Sequence, residues 1–273
     1  NTTTLTLNSN ALDFSGGQAA TGGVLEASGN LTLDGITFDE KSTIKLNTGT
    51  RLSSNAAFTV KTIELGTNWL MLGSDSTDLT IADNLTVIGG IGSGNADLTL
   101  NGPVDVQGSG IGSNGGTVTF GAGAGETSFA ERTGMRLDNT TLELKTSLNV
   151  NWLDLRGVSS ALKTNGNILN INKGIEIGGG SELDFTNVAT DNESELSLAG
   201  DASITKTGDL VFGHLSIKGY KLTLNPNITT LTINHIWLLN DWDSSDANYL
   251  ASTGELLAQG VDVTLQKSLW VEK

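Results

Sequence analysis

The sequence predicts an all-β chain wound as a three-faced parallel β-helix (β-solenoid) with about 20 residues per turn. Three observations carry that prediction. One stretch repeats itself almost openly, three interleaved series of apolar pairs share a common spacing, and the composition is that of short strands separated by turn formers.

The open repeat lies between Gly90 and Ala122. Gly90-Ile91-Gly92-Ser93 leads, after four residues, into Leu98-Thr99-Leu100, and Gly110-Ile111-Gly112-Ser113 leads after the same gap into Val118-Thr119-Phe120. Self-similarity at a fixed period of this kind is the mark of a stacked-repeat architecture.

Apolar-x-apolar triplets then sort into three series. The first runs Leu12/Phe14, Ile36/Phe38, Phe58/Val60, Leu79/Ile81, Leu98/Leu100, Val118/Phe120, Leu142/Leu144, Leu162, Leu183/Phe185, Ala202/Ile204 and Leu222/Leu224. The second includes Val24, Ile44/Leu46, Ile63/Leu65, Leu85/Val87, Val104/Val106, Phe129, Leu148/Val150, Ile168/Ile171, Val188, Leu210/Phe212 and Leu231/Ile233. The third passes through Leu31/Leu33, Leu52, Leu70/Leu72, Ile91, Ile111, Met135/Leu137, Leu153/Leu155, Ile175/Ile177, Leu196/Leu198, Leu215/Ile217 and Ile236/Leu238. Side chains alternate along a strand, so the residue between each apolar pair points outward. It is usually Thr, Glu, Asp, Ser or Lys. Gly, Asn and Asp at the corners tolerate the left-handed backbone of tight turns. Parallel strands prefer right-handed connections, so a right-handed coil is expected. An antiparallel sandwich also shows short strands, but its strands recur every 8–12 residues without a shared three-strand register. About ten turns stacked at about 4.8 Å make a rod near 50 Å long.

Composition bounds the partners. Thirty Asp and Glu face fifteen Lys and Arg, for a net charge of −15. Such an excess repels phosphate backbones and anionic bilayers, so nucleic acid and lipid surfaces are poor partners. No apolar run approaches the ~18 residues needed to span a bilayer, so no membrane insertion is expected. With no cysteine, neither a disulfide framework nor a thiolate zinc site is open to the chain. The first residues carry no leader pattern, and the last strand-like residues stop at Glu272-Lys273, so the chain reads as a piece of a longer polypeptide.

Two departures divide the chain. The stretched spacing at about 121–134, with Gly121-Ala122-Gly123-Ala124-Gly125, reads as a loop inserted in a stalk that spans 1–238. Residues 239–273 read as an irregular boundary segment returning to β structure. Within it, Tyr249, Leu250, Leu256 and Leu257 fall at helical spacing. Trp242 and Trp270 lie in this segment and Trp237 at its border, readable as a sugar platform or, for Trp237 and Trp270, as covers for the end of the core.

Segments such as Gly29-Asn30-Leu31-Thr32-Leu33-Asp34-Gly35 and Asp97-Leu98-Thr99-Leu100-Asn101-Gly102 resemble the repeats of filamentous-haemagglutinin-type adhesins and autotransporter passengers. The resemblance lies in repeat style and covers the chain to about Leu238. It implies a right-handed β-helix on a bacterial surface, working as stalk or adhesin.

Candidate chemistry is sparse. Asp154 and Glu176 are expected side by side on adjacent turns with Arg156 close by, as a carboxylate dyad or as solvated surface charge. Outward Thr37, Thr59, Thr80, Thr99 and Thr119 form a hydroxyl ladder, readable as strand packing or as an ice-binding face. Asp241, Asp243 and Ser245 match the opening of a calcium loop, but Asp246 and Ser252 stand where Gly and Glu are needed. The run Asp191–Glu195 reads as a solvated loop, and His214 and His235 as structural. No residue is assigned as catalytic, cofactor-binding or metal-ligating. The expectation is a non-enzymatic, extracellular stalk or adhesin that contacts an extracellular protein or glycan, flanking domains or other copies of itself. The alternatives are a self-assembling subunit of a fibre, sheath or surface layer, and a polysaccharide-degrading enzyme on the same fold.

Overall fold

The computed structural model describes residues 5–6, 24–33, 42–73, 78–237 and 254–270. These residues form a parallel β-solenoid of about 10 turns, with successive turns roughly 21 residues apart and almost no helix.

One face is continuous. Its path of strands runs from Leu5–Thr6 through Leu31–Thr32, Thr50–Ser53, Trp69–Leu72, Gly90–Gly92, Ile111–Asn114, Gly134–Asp138, Leu148–Arg156, Leu169–Gly178, Glu195–Leu198, Gly208–Ser216 and Ile228–Trp237 to Asp262–Trp270. The register stacks like on like: Leu70, Ile91, Ile111, Met135, Leu153, Ile175, Leu196, Leu215 and Ile236 lie one above another. Each of these side chains is buried, and each covers the one before it, so a single apolar column forms along the axis. Parallel pairing forces this arrangement, because each inward side chain must meet its counterpart one turn on.

The first series forms a second face in two blocks. Strands from Phe58–Val60 to Ala161–Lys163 make one, and strands from Ser181–Asp184 to Glu255–Leu257 make the other. The remaining face is separate only in the first half, at Val24–Ala27, Thr43–Leu46 and Thr62–Glu64, then at Leu85–Val87, Val104–Val106 and Ser128–Phe129. From Leu148 onward it fuses with the continuous face. Leu148–Arg156, Leu169–Gly178, Gly208–Ser216, Ile228–Trp237 and Asp262–Trp270 each turn the corner as one strand. Register shifts at Val150/Trp152, Gly208/Leu210 and Ile233/His235 mark irregularities along these strands. Extra residues in one strand of a pair are how a ladder bends without ending.

Several sequence expectations shift in register. Val24 is 56% exposed, and Leu25, opposite Ile44, is the buried residue. Ile168 is 47% exposed, while Leu169 beside it is buried opposite Leu148. In both cases two adjacent apolar residues compete for one inward position, and pairing with the neighbouring turn decides. Leu183 pairs Ile204 and Ser181 pairs Ala202, so Glu182, not Asp184, neighbours Ser203. Glu255–Leu257, placed by spacing in a helix, is a strand opposite Lys221–Thr223. A free strand edge offers a ladder of hydrogen bonds there, and that outweighs weak helical spacing.

Residues 122–126 form a 3₁₀ turn with Ala124 fully buried, and Ser128–Phe129 pairs with Asp105–Val106. Thr127 donates its backbone N–H to the Ala124 carbonyl, and its buried Oγ1 accepts from the backbone N–H of Val104 at 3.1 Å.

The acidic run at 191–195 is a built turn. The Asp191 carboxylate accepts from the Glu193 N–H at 2.8 Å and from the N–H and hydroxyl of Ser194 at 3.0 Å each. Ser194 is buried, and its hydroxyl also lies 2.9 Å from the Ile171 carbonyl one turn back. The Glu193 N–H above all, with Ser194, holds the Asp191 carboxyl below its ordinary value despite partial burial. Asp191→Ala is expected to destabilise the rod by about 1 kcal/mol, the worth of one capping residue. A depressed carboxyl contributes stability that is present above its unfolded pKa, about 3.9, and is lost as pH falls through the folded value. Urea unfolding of wild type and variant should therefore differ at pH 7 and much less at about pH 2. An equal difference at both values would refute the ionised-cap account.

Candidate functional site

Most outward rows carry no constellation. Thr59, Thr80, Thr99 and Thr119 stand in register on four consecutive turns, and Thr37 lies outside the described residues. The row ends in charge: Thr119 Oγ1 donates to Glu143 at 3.4 Å, and Lys163 stands in register beside Glu143 on the next turn. His214 and His235 pair on adjacent turns with their rings stacked, centroids 4.9 Å apart. Burial, the His214 ring and Lys267 hold His235 below its ordinary pKa. Residues 241–246 lie outside the described residues, as do Trp242 and the side chains of Trp237 and Trp270. Among the described residues no three His, Cys, Asp or Glu side chains converge as a metal cage requires.

Among the described residues, a cluster that gathers charge, an aromatic ring and a depression sits on the continuous face, where Gly134–Asp138, Leu148–Arg156, Leu169–Gly178 and Glu195–Leu198 run side by side. Strand alternation sends Leu153, Ile175 and Leu196 inward and the residues beside them outward. Outward Arg136, Asp154, Glu176, Ser197 and Ser216 therefore form one row across five turns. Asp154 and Glu176 are neighbours, as their spacing predicts. Arg156 stands in the next outward row and bridges them, with its Nε 2.7 Å from Asp154 Oδ1 and its Nη2 on Glu176 Oε1. Lys218 reaches back two turns to place its ammonium 3.2 Å from Glu176 Oε2. Arg136 Nε lies 3.3 Å from Asp138 and 3.9 Å from Asp154.

Burial raises the Asp154 carboxyl above its ordinary value, with Arg156 opposing and the neighbouring Glu176 adding to the rise. For Arg156 burial acts downward, but the two carboxylates outweigh it and strengthen its hold on the proton. Glu176 accepts from two cations, and Asp154 from one at 2.7 Å with a second at 3.9 Å. Groups held this way orient a ligand's hydroxyls more readily than they deliver protons, since a general acid must be free to reach its substrate.

Trp152 completes the site. It stands in register between Gly134 and Gly174, and a Cβ on Gly174 would collide with its indole. The missing side chain at Gly174 is what lets the ring lie down on the sheet, where it stays 42% exposed. Trp69 repeats the arrangement over Gly90 and is 46% exposed. Neither tryptophan was singled out by the apolar series. The legible signal was a glycine one turn downstream of each, at 90 and at 174.

Fold and site together define a repeat protein of the β-solenoid class with a mixed-charge, aromatic-bordered depression on its longest face. Comparison with known protein families, with curated proteins and with solved structures returned no match.

Proposed function

We propose that the chain is a non-enzymatic, extracellular or cell-surface rod that works as a stalk or adhesin, holding a contact surface in attachment to a cell, a matrix protein or a glycan. The observation that carries this reading is the unbroken parallel ladder from Leu31 to Trp270 on one face. Such a ladder transmits load through backbone hydrogen bonds and gives the body one rigid axis. The polar outward rows keep that body soluble, and its acidity disfavours nucleic acid. No helix among the described residues is long and apolar enough to cross a membrane.

The test pairs shape with attachment. Negative-stain images should contain single rods of about 50 Å. Beads coated with the rod should bind cells or extracellular matrix above beads coated with an acidic protein of matched charge. Rods that fail to exceed that control on every surface tried would refute the adhesin reading.

One observation favours a second reading, self-assembly. Val263 and Leu265 occupy inward positions opposite Leu231 and Ile233, yet are 44% and 39% exposed where their partners are buried. Among the described residues no strand pairs with the outer edge of 262–270. A neighbouring module or a second copy of the rod would cover both the apolar side chains and the edge. Filaments that lengthen with concentration in the same images would favour that reading.

A further inference from the structure

We infer that the depression between Trp152 and Lys218 is a saccharide subsite that takes a neutral hexose unit of an extracellular glycan. The inference rests on the attachment reading and names the ligand chemistry of one place on the rod.

Three features converge there. The first is the Trp152 ring, flat against the sheet and open on its outer side. An exposed, immobilised aromatic face suits the C–H face of a pyranose, which is apolar while its rim is polar. The second is the set of fixed polar groups at the edge of the ring. Asp154 and Glu176 accept, Arg156 and Lys218 donate, and each is oriented by another before any ligand arrives. Hydroxyls both donate and accept, so a sugar rim matches a mixed set where a purely acidic or basic ligand does not.

The third feature is Ser197, on the floor of the same depression of about 300 Å³. Its residue is only 7% exposed, and its hydroxyl has no hydrogen-bond partner. A buried hydroxyl without a partner costs free energy, which a ligand hydroxyl can recover. Ser93 and Ser181 share that condition, but strand alternation points them into the coil. Ser197 points outward, between Glu176 and Ser216. Lys218, anchored on Glu176 two turns back, spans the turn that carries Ser197. Movement of that lysine from the carboxylate to a sugar oxygen would present the serine hydroxyl to the ligand.

A neutral ligand rather than an acidic one follows from the slight acidic excess around the ring. Asp154, Glu176 and Glu195 line the depression against Arg156 and Lys218, three acids to two bases, and Arg136 beside them is paired first with Asp138. A uronate would gain little there and would meet the field of a chain at −15.

The test titrates cellopentaose, mannopentaose, galactopentaose and pentagalacturonate into the whole chain, with calorimetry and tryptophan fluorescence as readouts. At least one neutral pentasaccharide is expected to bind with a Kd between about 10 μM and about 10 mM. Trp152→Ala should weaken it about tenfold, and Ser197→Ala about threefold, with far-UV circular dichroism unchanged. Trp69→Ala should stay within about twofold, since that ring lies outside the depression. The proposal is overturned if no neutral pentasaccharide binds, if Trp152→Ala binds as well as wild type, if Trp69→Ala loses as much, or if the uronate binds more tightly. A rod that coats cells but ignores sugars sinks the subsite alone. Sugar binding by rods that adhere nowhere sinks the adhesin reading alone.

Discussion

Gly108→Val is expected to cost at least about 4 kcal/mol and to disrupt the rod in its first half. A Cβ at this glycine would fall on the Ile88 carbonyl of the preceding turn, inside any permitted contact distance. The corner cannot back away. The N–H groups of Gln107 and Gly108 both donate to the Val87 carbonyl, at 2.9 and 3.2 Å, and the Ser109 N–H donates to Gly89 at 3.0 Å. Relief of the clash must therefore break bonds that hold one turn on the next. In a solenoid each turn is stabilised only by its neighbours, so damage should spread along the axis before it is felt across it. Hydrogen exchange should show protection lost first in residues 85–129, with turns beyond Leu148 retaining theirs. Gly112→Ala is the control, because a Cβ there meets nothing closer than the Arg136 carbonyl at 3.8 Å. If urea unfolding places both variants within about 0.5 kcal/mol of wild type, close turn stacking is not what requires Gly108.

Phe120→Ala should cost about 3–5 kcal/mol. Phe120 is among the largest fully buried side chains and stacks in register between Leu100 and Leu144, both also buried. Truncation leaves a void that a narrow coil cannot close without shifting two paired turns, each tied by its own ladder. Phe120→Leu keeps most of the volume and should cost about 1.5 kcal/mol or less. Chemical denaturation of the three proteins checks the order. A Phe120→Ala midpoint within error of wild type would mean that the apolar column is not the main source of stability.

The closed charge group on the continuous face illustrates how surface ion pairs and function relate in a rod of this kind. Exposed pairs contribute little to stability. Those joining Asp154, Arg156, Glu176 and Lys218 fix directions more than they add strength. On the neighbouring face an outward row without charge, at Thr59, Thr80, Thr99 and Thr119, repeats one residue type over four turns. At Trp152 the repeat is broken by a large ring beside a missing side chain, and the depression that holds Ser197 borders that ring.

The sequence by itself determined the period, most of the inward positions and the parallel stacking, because one turn is a local unit whose apolar residues recur at a fixed spacing. It also placed Asp154 beside Glu176, since residues one period apart on one face must be neighbours. It could not choose between adjacent apolar residues such as Val24 and Leu25, or Ile168 and Leu169, because alternation permits either until the neighbouring turn fixes the register. Nor did it anticipate that two faces fuse after Leu148, which depends on how strands bend at shifted registers. Asp191 read as a solvated charge until the turn folded its carboxylate onto two backbone N–H groups. Trp152 became a platform only when Gly174 of the next turn arrived beneath it, and Ser197 a waiting donor only when Lys218 crossed its turn. Those features belong to contacts between turns, and a linear pattern records the spacing of such contacts but not which side chain yields space to which.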